Sequence, residues 1–127
     1  MTSRGPQVIY PVLRYADAPT AIDWLEHVLG FERGAVYEEA GKIVHAQVAF
    51  GDDLVMLGSA RDATPDGPVA VYLVAADVHG TYERAKEAGG TITMEIADQD
   101  YGSREFSVQD PEGNTWSVGT YQPADQH

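Results

Sequence analysis

The two halves of the chain share one order of predicted secondary structure, offset by 60 residues. In each half a strand-like run leads to an aspartate that can cap a helix, Asp17 in the first half and Asp77 in the second. The helical pattern ends at Gly30 in the first half and at Gly89-Gly90 in the second, and glycine is the residue that helix ends favour. The pairs Asp17 and Asp77, and Gly30 and Gly90, both differ by 60. The spacing predicts a tandem repeat of one unit.

Each half is predicted to contain a strand, a helix and three further strands. The predicted strands are 8–14, 31–37, 43–50 and 54–57 in the first half, and 69–75, 91–97, 104–109 and 115–121 in the second. Gly51-Asp52-Asp53 predicts a hairpin turn, and the segment 61–68 breaks the periodicity and predicts a linker. Few residues are identical between the halves, so an ordinary α+β chain that divides into similar halves by chance is the alternative.

Composition restricts the class of protein. A chain of 127 residues has the length of one compact domain, residues 1–127. Asp and Glu number 20 against 8 Lys and Arg, a net charge of −12, which argues against a nucleic-acid partner. This charge suits cationic small molecules, and it suits plain solubility equally well. Cysteine is absent, so disulfides and thiolate metal sites are excluded. The sequence shows neither an apolar run of membrane length nor a signal peptide, and we expect a cytoplasmic protein without a membrane partner.

Two segments carry a resemblance to a known family. They are PVLRYADAPTAIDWLEHVLGF at residues 11–31 and GSREFSVQDPEGNTW at residues 102–116. Both resemble the vicinal oxygen chelate superfamily, which includes glyoxalase I, extradiol dioxygenases, fosfomycin-resistance enzymes and bleomycin-resistance proteins. The resemblance implies an α+β fold of two tandem βαβββ modules, about 7–60 and 69–121, joined by the linker at 61–68. The modules are expected to form an eight-stranded, incomplete barrel-like cleft.

Strand alternation then sorts side chains between the helix side and the cleft. Val44, Ala46, Val48 and Phe50 are predicted to face the helix, as are Phe106 and Val108. The residues predicted to face the cleft are Tyr10, Val12, Arg14, His45, Gln47, Ala49, Ala70, Tyr72, Val74, Glu105, Ser107, Gln109, Thr115, Ser117 and Tyr121. Trp116 alternates with Thr115 and Ser117 and is predicted to pack beneath the sheet. The cleft is thus predicted to have aromatic walls and a few polar groups.

The metal positions of the family are not matched. Members that use a metal carry ligands, commonly His and Glu, on the first and last strands of each module. Aligned on the capping aspartates, those positions fall at Tyr10, Leu57, Ala70 and Ser117. Leu57 and Ala70 have no donor atom, and Tyr10 and Ser117 are poor ligands unless deprotonated. We therefore expect no metal and no cofactor.

His45 and Glu105 also differ by 60, which would make them equivalent positions of the two modules. One interpretation is a catalytic pair, either a hydrogen-bonded His–carboxylate or a general base with its orienting acid. The other is two unrelated polar residues on a half-exposed sheet face. The sequence leaves both open.

Three functions follow from these observations. The first is a metal-independent protein that binds and sequesters a small molecule, as in the bleomycin-resistance branch and antibiotic resistance. Its ligand would be cationic or aromatic, and the resemblance implies a homodimer. The residues assigned to ligand binding are Tyr10, Gln47, Tyr72, Tyr101, Ser107 and Ser117, with Glu105 neutralising a cation.

The second possible function is a glyoxalase-type enzyme with a non-standard metal or with acid–base chemistry at His45 and Glu105. The third is an interaction module whose cleft is vestigial.

Overall fold

The computed structural model describes residues 7–61 and 67–122, and most of the predicted linker lies outside these residues. Module 1 contains β1 (Val12–Tyr15), α1 (Ala18–Trp24), a π-helical turn (Leu25–Leu29), β2 (Glu32–Glu39), β3 (Lys42–Phe50) and β4 (Asp53–Ser59). Module 2 contains β5 (Ala70–Val74), α2 (Val78–Glu87), β6 (Thr91–Asp98), β7 (Arg104–Gln109) and β8 (Thr115–Gly119). The predicted order of strand, helix and three strands is confirmed in both halves.

The two predicted helix caps are present. The Asp17 carboxylate accepts a hydrogen bond from the Thr20 backbone N–H at 3.2 Å, and the Asp77 carboxylate accepts one from the Gly80 N–H at 3.0 Å. These bonds satisfy N–H groups that the first helical turn leaves without a partner. The π-helical turn ends at Gly30, whose φ of 78° lies in the left-handed region.

The eight strands form two four-stranded sheets, in the orders β1-β4-β3-β2 and β5-β8-β7-β6. In each sheet the first strand pairs in parallel with the last strand of its module, and the other pairs are antiparallel. Among the residues described, no backbone ladder joins β1 to β5, so the sheets remain unclosed. This is the predicted α+β class with two tandem βαβββ modules. Within the described ranges no helix is long and apolar enough to cross a membrane.

The offset between the modules changes from 60 to 61 residues at their last strands. Val12 lies opposite Met56 in module 1, whereas Tyr72 lies opposite Ser117 in module 2. The counterpart of Ser117 is therefore Met56, and the alignment of Ser117 with Leu57 was wrong. Leu57 is only 1% exposed and belongs to the core.

A turn that is one residue longer causes this change. In module 1, Phe50 pairs with Asp53 across a turn of two residues, whereas in module 2 the Asp110 N–H bonds to the Asn114 carbonyl around a turn of three. Two acceptor hydroxyls beyond the turn, those of Ser59 and Thr120, show the same offset of 61. The Ile43 N–H donates to the Ser59 hydroxyl at 3.1 Å, and the Arg104 N–H donates to the Thr120 hydroxyl at 3.1 Å.

A β-bulge overturns the prediction for Val44. Tyr37 pairs with His45 while the next residue of β2 pairs with Ile43, so Val44 is an extra residue in β3. Alternation is broken there, and Ile43 and Ala46 are buried while Val44 is 50% exposed. The predicted burial of Ala46 and Val48 is confirmed, and Phe50 is partly buried against the core.

The first strand is shorter than predicted because the Gln7 side chain takes the backbone hydrogen bonds that the beginning of the strand would make. The Gln7 amide accepts from the Leu54 N–H at 2.6 Å and donates to the Leu54 carbonyl at 2.9 Å, which occupies the groups that a strand partner would use. Val8 and Ile9 are almost fully exposed, and β1 begins only at Val12.

One hydrophobic core spans both modules. The Phe31 ring of module 1 meets the Trp116 ring of module 2 edge-on, with 5.7 Å between the ring centroids. Trp116 is fully buried, as predicted for a residue beneath the sheet. At the helices, the Arg84 guanidinium of α2 donates to the Glu26 carbonyl at 2.9 Å, a group that the π-helical turn leaves open. The modules are therefore joined by both apolar and polar contacts.

The Asp110 carboxylate is the central polar group between the modules. It is buried and accepts five hydrogen bonds, of 2.8–3.1 Å, from the Tyr15 hydroxyl, the Glu112 N–H, the Asn114 N–H and side-chain amide, and the Trp116 indole. Tyr15 comes from β1, so one carboxylate holds both modules. Burial, reinforced by the Asp110 charge, raises the pKa of the Tyr15 phenol, which therefore stays a donor at neutral pH.

The same turn makes a second attachment to module 1. The Glu112 carboxylate accepts from the Ala16 N–H at 2.7 Å and from the Asp17 N–H at 2.8 Å, just before α1 begins. A negative charge is favourable at this end of a helix. The turn at 110–114 thus holds the two modules together through both Asp110 and Glu112.

We predict that Asp110→Asn destabilises the protein by about 2–3 kcal/mol, because the amide nitrogen would face donors that then lose their acceptor. Asp100→Asn removes the same charge from an exposed turn and should change stability little. Urea unfolding followed by tryptophan fluorescence measures both. Equal stability of the two variants would contradict the role given to Asp110.

Candidate functional site

In each module, we call the face of the sheet that lies opposite the helix the open face. A hollow of about 440 Å³ lies on the open face of module 2. It is lined by Ala70, Val71, Tyr72, Tyr101, Glu105, Ser117 and Tyr121. Four of the predicted site residues, namely Tyr72, Tyr101, Glu105 and Ser117, therefore share one hollow. Its volume falls within the usual range of small-molecule sites.

Glu105 supplies the charged group of the hollow. It lies on β7, is only 6% exposed, and its carboxylate accepts a hydrogen bond from the Tyr101 hydroxyl at 2.6 Å. Tyr101 sits on the turn between β6 and β7 and is 51% exposed. This hydrogen bond is the main cause that raises the pKa of Tyr101 to about 12, because ionising the phenol would remove the donor and place two negative charges side by side.

Three tyrosine rings form the aromatic wall. The Tyr72 hydroxyl donates to the Tyr121 carbonyl at 2.6 Å, and the Tyr101 and Tyr121 rings meet edge-on with centroids 5.4 Å apart. Burial is the main cause that raises the pKa of Tyr72. The Tyr72 and Tyr101 phenols are therefore neutral at physiological pH, and all three rings line the hollow that contains Glu105.

Gly119 allows Glu105 and Tyr72 to approach each other. A Cβ atom at position 119 would lie 2.3 Å from the Glu105 Cγ and 2.8 Å from the Tyr72 hydroxyl oxygen, closer than packed atoms tolerate. Any other residue at this position would displace one of the two side chains. Gly58 is its counterpart at the offset of 61 and lies beneath Arg14, whose Nη1 would be 3.0 Å from an added Cβ.

Two serines connect the adjacent strands beside the aromatic wall. The Ser107 and Ser117 hydroxyls are 2.8 Å apart and share a hydrogen bond, and Ser107 is buried. Ser117 lines the hollow, so its remaining hydrogen-bonding capacity is available to a ligand there.

The other predicted site residues lie elsewhere. The Tyr10 hydroxyl donates to the Gln7 carbonyl at 3.0 Å, ahead of β1. On β3, the side-chain nitrogens of Gln47 and His45 are 3.3 Å apart, and the His45 ring stacks on Tyr37. In the part of the chain that the structure describes, no hydrogen bond or ring contact joins His45 to Glu105. The two belong to separate groups on different sheets.

The residues at the family's metal positions do not fit a divalent ion. After correction of the register these are Tyr10, Met56, Ala70 and Ser117. A thioether and a methyl group offer no hard oxygen or imidazole donor, and a phenol and a hydroxyl bind such ions poorly without deprotonation. Over residues 7–61 and 67–122, no three His, Asp or Glu side chains are close enough together to hold an ion.

Two further hollows lie near the open face of module 2. One, of about 400 Å³, separates β1 from β5 and shares Ala70, Val71 and Tyr72 with the hollow beside Glu105. The other, of about 760 Å³, lies between the turn after β3 and the start of α2. Neither contains Glu105. Of these three hollows, the one beside Glu105 combines a buried carboxylate with aromatic walls in the described structure.

Sequence reasoning placed Tyr121 on the cleft side but did not assign it to the site, and it missed Gly119. Both omissions have a cause in the sequence. Comparing the halves at an offset of 61 beyond the longer turn would have aligned Gly119 with Gly58. No local pattern indicates that the carbonyl of Tyr121, which follows the end of β8, accepts a hydrogen bond from the Tyr72 hydroxyl.

We predict that Glu105→Gln lowers the pKa of Tyr101 from about 12 toward the ordinary value near 10, because the neutral amide no longer opposes ionisation of the phenol. Tyrosine Cζ shifts in ¹³C-labelled protein measure the titration. Glu95→Gln is the matched control, since Glu95 accepts a hydrogen bond from Tyr82 outside the hollow. An unchanged Tyr101 titration in Glu105→Gln would contradict the assigned bond.

Comparison with known proteins identifies the family. A model of the glyoxalase/bleomycin resistance protein/dioxygenase superfamily matches residues 7–118. An uncharacterized protein of Mycobacterium bovis is 34% identical over 123 residues, covering 86% of this chain and 80% of that protein. An uncharacterized protein of Mycobacterium tuberculosis (strain ATCC 25618 / H37Rv) is likewise 34% identical, over 86% of this chain and 71% of its own length.

Solved structures agree with this assignment. TioX from Micromonospora sp. ML1 matches with a TM-score of 0.79 and 28% identity, covering 91% of this chain and 100% of that chain. A superfamily member from Sphaerobacter thermophilus DSM 20745 matches with a TM-score of 0.70 and 21% identity, over 89% of this chain and 95% of that chain, and shows the fold alone. The family model, the mycobacterial relatives and the shared fold together show that this chain belongs to the glyoxalase/bleomycin resistance protein/dioxygenase superfamily.

Proposed function

We propose that the protein binds a small organic molecule in the hollow beside Glu105 without the help of a metal, as a sequestering protein of the bleomycin-resistance type. The observation that carries the proposal is the convergence of three tyrosines, one buried carboxylate and one serine hydroxyl on a hollow of about 440 Å³. Ring surfaces take up planar groups, and few polar groups fix their orientation.

The proposal also rests on the chemistry of the family's metal positions. Tyr10, Met56, Ala70 and Ser117 make a poor donor set, so metal-assisted chemistry of the usual family type has no recognisable ligands here. The acid–base alternative requires His45 and Glu105 to act on one substrate. Within one chain, each makes its hydrogen bonds on its own sheet. Binding therefore accounts for more of the observed geometry than catalysis does.

We further propose that the protein works as a homodimer. The described residues that line the hollow all belong to module 2, and one side of it is open. Apolar residues on module 1 are left exposed, among them Val12 and the bulge residue Val44. The open face of module 1 in a second copy could provide the missing wall, so that burial of apolar surface would drive both dimerisation and closure of the site.

We predict that Tyr101→Ala weakens the binding of a planar aromatic ligand about tenfold, because an aromatic contact of about 1–1.5 kcal/mol is lost. The ligand would be found by screening planar compounds for shifts of the Ser117 and Gly119 amide signals. Tyr10→Ala removes a ring of similar exposure that also donates a hydrogen bond, but ahead of β1 and outside the hollow, and should leave binding unchanged. Equal weakening by both substitutions would contradict the site.

We predict that Val44→Asp gives a monomer, because a charge would be buried in the proposed contact. Val8→Asp places the same charge on a more exposed valine outside the strands and should leave the dimer intact. Light scattering after size-exclusion chromatography measures the mass of each. A monomeric unsubstituted protein, or a dimeric Val44→Asp, would contradict the proposed assembly.

A further inference from the structure

We infer that the ligand of this hollow carries a positive charge, in the form of a quaternary or tertiary ammonium group that sits against Glu105. This inference rests on the proposed function and specifies its ligand class. It is carried by the surroundings of the Glu105 carboxylate and not by the family assignment.

Glu105 is a buried acid for which the described part of the chain provides no cationic partner. Its side chain is more than nine-tenths buried, and the hydrogen bond observed on its carboxylate comes from the neutral Tyr101 hydroxyl. In the described ranges no Lys, Arg or His nitrogen lies within ion-pair distance of it. Arg104, its neighbour in the chain, pairs instead with Asp98 at 2.9 Å. A buried carboxylate is costly unless a cation or several donors compensate it.

The aromatic wall favours a cation over a neutral group. Tyr72, Tyr101 and Tyr121 line the same hollow as the carboxylate, and the faces of such rings attract positive charge. Among the described residues that line the hollow, none has a basic side chain. The net charge of −12 adds long-range attraction for a cation. An anion would be repelled by the Glu105 carboxylate, by the ring faces and by the net charge of the protein.

Tyr101 is placed to act as a movable cover on Glu105. It is half exposed on a turn, and its contacts in the hollow are the hydrogen bond to Glu105 and the edge-on contact with Tyr121. An arriving ammonium group can therefore replace the phenol at the carboxylate while the ring remains beside it. Gly119 is the positioning residue of the arrangement, because a larger residue would separate Glu105 from Tyr72.

The test compares choline with its neutral isostere 3,3-dimethylbutan-1-ol, titrated at constant ionic strength and followed by the amide signals of Ser117 and Gly119. We expect choline to bind at least about tenfold more tightly than the isostere. The reason is that its ammonium group would make desolvated contacts with the tyrosine rings and the Glu105 carboxylate. Glu105→Gln should abolish this preference. Glu95→Gln, which alters the Tyr82–Glu95 pair outside the hollow, should keep it.

A second variant keeps the inference testable if Glu105→Gln does not fold. Tyr101→Phe retains the ring but removes the competing donor, and it should tighten choline binding several-fold. Equal binding of choline and the isostere, a preference that survives in Glu105→Gln, or unchanged or weaker binding in Tyr101→Phe would overturn the inference. If planar aromatic ligands bind in the hollow but choline does not, the proposed function stands and the charge assignment falls. If neither class binds, both fall.

Discussion

The fold depends on one buried carboxylate. Asp110 accepts hydrogen bonds from Tyr15 of module 1 and Trp116 of module 2, and so fixes how the two modules meet. A carboxylate offers about four lone-pair sites, and here five donors from the two modules share them. The surrounding core excludes water, which strengthens each bond and makes the loss of any partner costly. Because Glu112 on the same turn holds the start of α1, a single turn controls the relative position of the two halves.

The two modules have diverged in what their open faces carry. In module 2, Glu105, the tyrosines and Ser117 converge on a hollow, and Gly119 gives them room. In module 1 the equivalent positions carry His45 and Gln47, which bond to each other, and Met56 in place of Ser117. The fold is shared by both halves, but the chemistry is concentrated in one. This asymmetry is expected when a repeat keeps its core and specialises one face.

Much of the fold was predictable because it follows from local rules. The caps at Asp17 and Asp77, the glycine that ends the first helix and the burial of Trp116 are each fixed by nearby residues. The exceptions are single-residue irregularities. The bulge at Val44 shifts alternation, and the longer turn after Asp110 shifts register by one, so Leu57 was aligned with Ser117.

The candidate site was predictable to the extent that alternation placed Tyr72, Glu105 and Ser117 on one face. Tertiary contacts leave no pattern in the sequence. Examples are the hydrogen bond from Tyr15 to Asp110 and the one from Tyr72 to the Tyr121 carbonyl.

We propose that this hollow recognises an organic ligand through its own side chains, with no metal ion involved. The most direct measurement pairs elemental analysis of protein purified without chelators with calorimetric titration of one ligand before and after exhaustive chelation. The account predicts no transition metal in stoichiometric amount and the same affinity in both titrations. One bound zinc, nickel, manganese or iron per site, together with loss of ligand affinity on its removal, would contradict it.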